Sequence, residues 1–181
     1  MSRILLGVSA GIAAYKAVDL ASKLTQRGDE VRTVLTPHAR AFLTPLSFRA
    51  VTRQPVYTDA FEDDPEYRPE HISLSEWPDV VVIAPATADI IARVAAGLGD
   101  NLLAVTLIAC QKPVVVAPAM NDRMWANPIV RRNLAALRDI GYRVLEPGVG
   151  HLACGTVGAG RMPEPTEILA AVDSLLGVRR P

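Results

Sequence analysis

The stretch Ile4-Leu5-Leu6-Gly7-Val8-Ser9-Ala10-Gly11-Ile12-Ala13-Ala14 decides the fold. Ile4 to Val8 run without a polar interruption, which predicts a strand buried on both faces. A glycine-containing turn then gives way to a helical pattern from about Ile12 to Gln26, which Gly28 ends. A doubly buried strand that turns tightly into a helix is the opening unit of a parallel sheet. The rest of the chain repeats this alternation. Further strands are predicted at Val31 to Leu35, Asp79 to Ala84, Val114 to Ala117 and Tyr142 to Leu145. Helices are predicted at Leu46 to Val51, His71 to Trp77, Ala88 to Ala96, Asn101 to Cys110, Pro128 to Ile140 and Thr166 to Leu176. Thr36-Pro37 reads as a helix cap followed by proline at the first helical position. The acidic, proline-containing segment from Asp59 to Glu70 reads as a surface loop.

Strands and helices in this order, joined by right-handed crossovers, predict a doubly wound parallel sheet. The expected architecture is a flavodoxin-like or Rossmann-like α/β fold, a three-layer αβα single domain over 1–181. Composition agrees. At 181 residues, 50% hydrophobic and 21% charged, the chain can bury a core without disulfides or structural metal. Its 19 basic and 19 acidic residues cancel, so neither a nucleic acid nor a membrane surface is an expected partner. Arg131–Arg132 and Arg179–Arg180 read as short solvated pairs. Cys110 and Cys154 fit no disulfide framework and no zinc spacing, so no metal site and a reduced, cytoplasmic location are expected. The N-terminus M-S-R-I-L-L-G-V has no signal-peptide pattern. No apolar run reaches the roughly 18 residues of a membrane span.

In a doubly wound sheet, ligands bind beyond the carboxyl ends of the strands. The loops after Val8, Leu35, Ala84 and Ala117 are therefore the places to look. Gly7 to Ala14 offers free N–H groups at a helix start, the Ser9 hydroxyl and a compact Gly11, all suited to an anion. The pattern is not G-x-G-x-x-G. The second strand ends Val34-Leu35-Thr36, where an NAD site places an acidic residue. A mononucleotide phosphate fits better than a dinucleotide, and glycine serving only a tight turn is the plainer alternative. After the strand at Val114 comes P-A-M-N-D-R-M-W, Pro118 to Trp125, which puts Asn121 at a helix start. Cys154 lies in L-A-C-G-T-V-G-A-G-R-M, Leu152 to Met162. Such glycine-rich backbone predicts a flexible loop that covers a pocket and lets the thiol reach a ligand. Cys110, by contrast, ends an apolar helix and reads as buried and inert.

Five segments in order carry a resemblance: G-V-S-A-G-I-A-A-Y-K from Gly7, H-I-S-L-S-E-W from His71, A-P-A-T-A-D-I-I-A-R from Ala84, P-A-M-N-D-R-M-W, and the Cys154 loop. Together they resemble the flavin-dependent cysteine decarboxylases, and most closely the phosphopantothenoylcysteine decarboxylases of coenzyme A biosynthesis. The resemblance implies FMN as cofactor and 4'-phospho-N-pantothenoylcysteine as substrate. Losing CO2 from a cysteine carboxylate needs an electron sink beside it. FMN provides one by oxidising the neighbouring CH2–SH to a thioaldehyde; CO2 loss then gives an enethiol, which is reduced to 4'-phosphopantetheine.

By resemblance, Ser9, Gly11 and Ile12 hold the FMN phosphate with help from Thr36, and Pro85, Ala86, Thr87, Ala88 and Asp89 line the flavin edge. His71 serves as base, a task an imidazole suits near neutral pH. Asn121 grips the substrate carboxylate, with Ala119, Met120, Met124 and Trp125 as apolar walls. Cys154, flanked by Ala153 and Gly155, closes over the substrate and donates a proton during the final reduction. His38 and His151 are expected at the surface or behind the site. Thr156 departs from the family pattern, since many members carry aspartate there; Asp89 stands where some branches have asparagine. The resemblance also implies homo-oligomers, trimers or dodecamers with flavin sites between subunits. A phosphopantothenate–cysteine ligase domain, fused or separate, is a further expected partner.

Rival readings are a peptidyl-cysteine decarboxylase, a flavin prenyltransferase, a non-enzymatic phosphatase-regulatory relative and an NAD-linked reductase. Cys154 in its glycine-rich setting favours the full reductive sequence over a reaction that stops at the enethiol. The missing acid after the second strand opposes NAD.

Overall fold

The structure, a computed structural model, describes residues 1–58 and 70–178. Of the expected acidic loop only Glu70 is described, and the Arg179–Arg180 pair lies outside the described residues. Six parallel strands form one sheet: β1 (Arg3–Val8), β2 (Glu30–Leu35), β3 (Val56–Tyr57), β4 (Val80–Ala86), β5 (Val114–Pro118) and β6 (Arg143–Val144). Their spatial order is β3-β2-β1-β4-β5-β6. This order realises the Rossmann member of the expected pair, with the reversal between β1 and β4. Ile4 stands opposite Val31 of β2 on one side and Val80 of β4 on the other.

Alternate residues of the central strands point to opposite faces, because side chains on a strand have a period of two. Ile4, Leu6, Val80 and Val82 pack against α1 (Ala14–Gln26), α2 (Pro45–Thr52) and α8 (Pro165–Leu176). Leu5, Val81, Ile83 and Val116 pack on the other face, against α3 (Glu70–Glu76), α4 (Ala88–Ala95), α5 (Leu102–Ala109) and α7 (Pro128–Asp139). Helices on both faces are the reason β4 is buried from end to end. On the first face Lys16 of α1 pairs with Glu164 at the start of α8, 2.6 Å apart. Glu164 and Glu167 complete a reciprocal capping box there.

The elements differ from expectation in a few places. Helix α1 begins at Ala14 rather than Ile12, because residues 10–13 form the turn out of β1. Thr36-Pro37 opens a single 3-10 turn, Pro37–Ala41, and the Thr36 side chain makes no capping bond. Strand β3 was not anticipated, since two residues carry no periodic signal. A short helix α6 (Asp122–Ala126) follows Asn121. The largest change concerns the cysteine segment. It is an antiparallel hairpin of β7 (Gly148–His151) and β8 (Val157–Arg161), with Cys154 at its tip, rather than a free loop. Glycine at alternate positions hides a strand from sequence reading, because it supplies neither β propensity nor an apolar face.

The hairpin docks on the chain leaving β5. Met120 N–H donates to the Gly160 carbonyl at 2.9 Å. A Cβ at Gly160 would lie 2.1 Å from the Met120 carbonyl oxygen, so only glycine permits this approach. We predict that Gly160→Ala pushes the hairpin away and costs about 2 to 3 kcal/mol by overpacking. The expected reading is a fall in Tm of roughly 5 to 10 °C in a thermal melt. An unchanged Tm would show that the hairpin accommodates the methyl group.

Candidate active site at the sheet reversal

Where the strand order reverses, the loops leaving β1 and β4 diverge to opposite faces and leave a crevice. A cavity of about 800 Å³ occupies it. One wall is the β1–α1 turn from Ser9 to Ala13, continued by Tyr15 and Lys16; beside it lie Thr36, Pro37 and His38. Thr87, Ala88 and Asp89 follow β4, and Ala119, Met120, Asn121 and Met124 follow β5. The hairpin contributes Leu152, Ala153 and Cys154 from its tip, and His151, Gly160 and Arg161 from its strands. The four loops singled out from sequence thus meet, with the hairpin as a fifth contributor.

Ser9 is a brace between two of these loops. Its hydroxyl donates to the Pro85 carbonyl at 2.7 Å and accepts from the Thr87 N–H at 3.0 Å. Only 2% of the residue is exposed. A hydroxyl has one hydrogen, and this one is committed inside the protein. The groups left facing outward are those of the backbone. Among the described residues, the N–H groups of Ala10, Gly11 and Ile12 have no acceptor. They sit at the start of α1, whose first turn carries no acidic residue and no side-chain cap. Such a terminus is an anion site by its dipole and its unpaired donors. Beside it, Ile12 is 65% exposed and Met124 45% exposed, which gives the cavity apolar walls. An anionic head on a flat apolar body, as in a flavin mononucleotide, fits this arrangement.

Not every expected residue lines the cavity. Pro85 and Ala86 are buried residues of β4; their carbonyls accept from Ser9 and from Ala119, and neither faces the space. Asp89 does line it, paired with Arg93 at 2.8 Å. Arg93 also pairs with Asp100, and hydrogen bonds to Asp89 first and Asp100 second raise its pKa above the ordinary range. The Asp89–Arg93 pair was available from its i,i+4 spacing; the arrival of Asp100 depends on the fold.

Asn121 caps α6, its Oδ1 accepting from the Arg123 N–H at 2.8 Å. With the oxygen held, the amide NH2 faces the hairpin and donates to Cys154 Sγ at 3.0 Å. Thr156 Oγ1 stands 3.2 Å from the same sulfur, and 3.4 Å from Asp122 Oδ1, to which it donates. The thiol is exposed, and its pKa lies below the usual thiol value. The Thr156 hydroxyl is the main cause, then the Thr156 backbone N–H and the Asn121 amide. The sequence marked Thr156 only as a departure from the family pattern. Gly155 shapes the tip rather than lining the cavity: its φ is 88°, and its N–H closes a turn on the Leu152 carbonyl.

His71 also stays outside the convergence. It is the second residue of α3, is half-buried, and does not line the cavity of its own chain. His38 and His151, set aside from sequence, do line it. Trp125 is 8% exposed and packs into the core, so it is no wall. Arg131 covers its ring at 4.8 Å, a cation–π contact in place of a purely solvated charge. Cys110 is only partly buried; burial nonetheless pushes its thiol pKa up, in keeping with an unreactive group.

Known proteins resemble this chain in sequence and in fold. The Flavoprotein family matches residues 1–177. The coenzyme A biosynthesis bifunctional protein CoaBC of Bacillus subtilis (strain 168) is 46% identical over 166 residues, which is 92% of this chain and 41% of the relative. The chain thus spans about two-fifths of that protein's length. A solved PPC decarboxylase, a cysteine-to-serine mutant complexed with pantothenoylaminoethenethiol, superposes with a TM-score of 0.86 at 35% identity. The match covers 97% of this chain and 98% of that one. The FMN-dependent cysteine decarboxylase SpaF gives a TM-score of 0.83 at 35% identity, covering 98% and 97% of the two chains. On the length of the family match and on likeness along nearly the whole chain, this protein belongs to the Flavoprotein family.

Proposed function

We propose that the chain is an FMN-dependent decarboxylase that converts 4'-phospho-N-pantothenoylcysteine to 4'-phosphopantetheine in coenzyme A biosynthesis. The observation that carries this reading is the Asn121–Cys154 contact at the mouth of a cavity that also holds an open helix N-terminus. The Ala10, Gly11 and Ile12 N–H groups hold the phosphate of FMN, with Thr36 beside them, and Thr87, Ala88 and Ile12 bound the space for its ring. When bound, FMN supplies a two-electron acceptor and donor for the carbon that bears the substrate sulfur.

The chain's own residues supply the rest. The Asn121 amide orients the substrate carboxylate by donating to it, while its capping bond keeps the NH2 pointing into the cavity. Met120 and Met124 exclude water from the carbon that loses CO2. Cys154 gives its proton to the substrate carbon during reduction, and its Thr156 and Asn121 partners stabilise the thiolate left behind. A chain with Cys154 so placed completes the reduction rather than stopping at the enethiol.

His71 reaches the reaction from a second copy of the chain. Its not lining its own chain's cavity supports a homo-oligomer, a trimer or trimers packed into a dodecamer, with sites between subunits. Exposed Tyr15 (61%) and Ile12 (65%) at the cavity wall support the same arrangement. The bifunctional relative, more than twice as long, supports a phosphopantothenate–cysteine ligase as partner, fused or separate. Two free thiols support a cytosolic location.

The first test is cofactor binding and turnover. Purified chain should bind FMN, turn yellow, and release CO2 from the phosphorylated substrate; a folded protein that stays colourless with added FMN overturns the proposal. Cys154→Ser should lower formation of the reduced product at least about 100-fold, while the enethiol accumulates in mass spectra. Unchanged product would remove Cys154 from the mechanism. Co-refolded His71→Gln and Cys154→Ser chains, each inactive alone, should regain roughly a quarter of wild-type activity if sites are shared between subunits. No recovery would place His71 in the same chain's site.

A further inference from the structure

We propose that Thr156 is a positioning residue whose hydroxyl turns between Cys154 Sγ and Asp122 Oδ1 as the sulfur loses and regains its proton. This rests on the reading that Cys154 donates a proton. The hydroxyl oxygen lies 3.2 Å from the sulfur and 3.4 Å from the carboxylate oxygen. It has one hydrogen to give and can accept two, so it can serve only one of these neighbours as donor at a time.

Both ends are held in place. The Thr156 carbonyl accepts from the Leu152 N–H at 2.8 Å, closing the hairpin tip. Its β-branched side chain is stiff about χ1, so the O–H can rotate while the oxygen stays put. Asp122 lies on the first turn of α6, where β8 crosses it closely. A Cβ at Gly158 would come within 2.8 Å of the Asp122 Cβ.

Two states follow. With Cys154 protonated, the S–H donates to Oγ1 and the Thr156 O–H donates to the Asp122 carboxylate. When the sulfur proton passes to the substrate carbon, the O–H turns to the thiolate and joins the Asn121 NH2 as donor. The hydroxyl hydrogen never leaves its oxygen, and the exposed sulfur takes its replacement proton from water. Asp122 thereby opposes the thiolate twice, by competing for the hydroxyl and by its like charge. Across the cavity stand Lys16, His38 and Arg93 with its two carboxylates, and His151 and Arg161 lie on the hairpin. Among the described residues none of these hydrogen-bonds to Cys154.

The test is the pH dependence of Cys154 alkylation by iodoacetamide, on the purified chain in a Cys110→Ala background. Thr156→Val should react roughly tenfold more slowly at pH 7, with its midpoint moved to higher pH, because the thiolate loses its hydroxyl donor. Thr156→Ser should restore the parent profile, and Asp122→Asn should move the midpoint to lower pH. A Thr156→Val profile matching the parent, a serine that fails to rescue, or an Asp122→Asn profile that does not move would overturn the proposal. No substrate or cofactor is needed. The predicted profiles in a chain that fails to decarboxylate would sink the functional reading alone; normal decarboxylation with an unshifted Thr156→Val profile would sink only this one.

Discussion

The backbones of Met120 and Gly160 meet with no room for a side chain between them, and the site depends on that approach. It fixes the hairpin against the chain leaving β5, the strand next to the sheet's reversal. From there the tip reaches the cavity, where Cys154 meets the Asn121 amide. Asn121 then has two obligations. Its oxygen caps α6, and its nitrogen holds the sulfur. A side chain used at both ends cannot swing, so the donor that faces the cavity is set before any ligand arrives.

Charge is distributed unevenly around the crevice. Among the described residues, the start of α1 presents unpaired N–H groups and its first turn carries no acidic residue, which favours an anion. At another wall, Arg93 is held by Asp89 and Asp100, so its charge is largely answered within the protein. Among the described residues, the thiol at the hairpin tip has neutral donors around it and one carboxylate a hydroxyl away. An anion is thus directed to the helix start, while the sulfur keeps surroundings that tolerate it in either protonation state. Ser9, the most obvious hydroxyl in the sequence for binding phosphate, instead locks the two loops that frame the crevice.

Much of this was legible in the chain because burial leaves a periodic trace. Val80 to Ile83, a short run of β-branched residues, reads as a strand covered on both sides, and the spacing of Leu20 and Leu24 marks the buried stripe of α1. The motifs at Ser9, Ala84 and Pro118 lie where a doubly wound sheet puts its loops, so their convergence could be expected. The hairpin could not, because its strands are built from glycines that carry no such trace. Trp125 and Pro85 misled in the opposite way: motif membership suggested contact with a ligand, whereas the fold turned one ring into the core and one carbonyl toward Ser9.

Local pattern thus determined which segments are strands and helices and which loops bear the chemistry, since each property is set by residues close together in sequence. Who touches whom across the crevice was decided only by tertiary structure. The contacts of Cys154 with Asn121, of Thr156 with Asp122 and of Arg93 with Asp100, and the separation of His71 from them all, follow from how elements pack. Hydrogen bonds reach about 3 Å, and no sequence spacing specifies a distance that short between segments that meet only after folding.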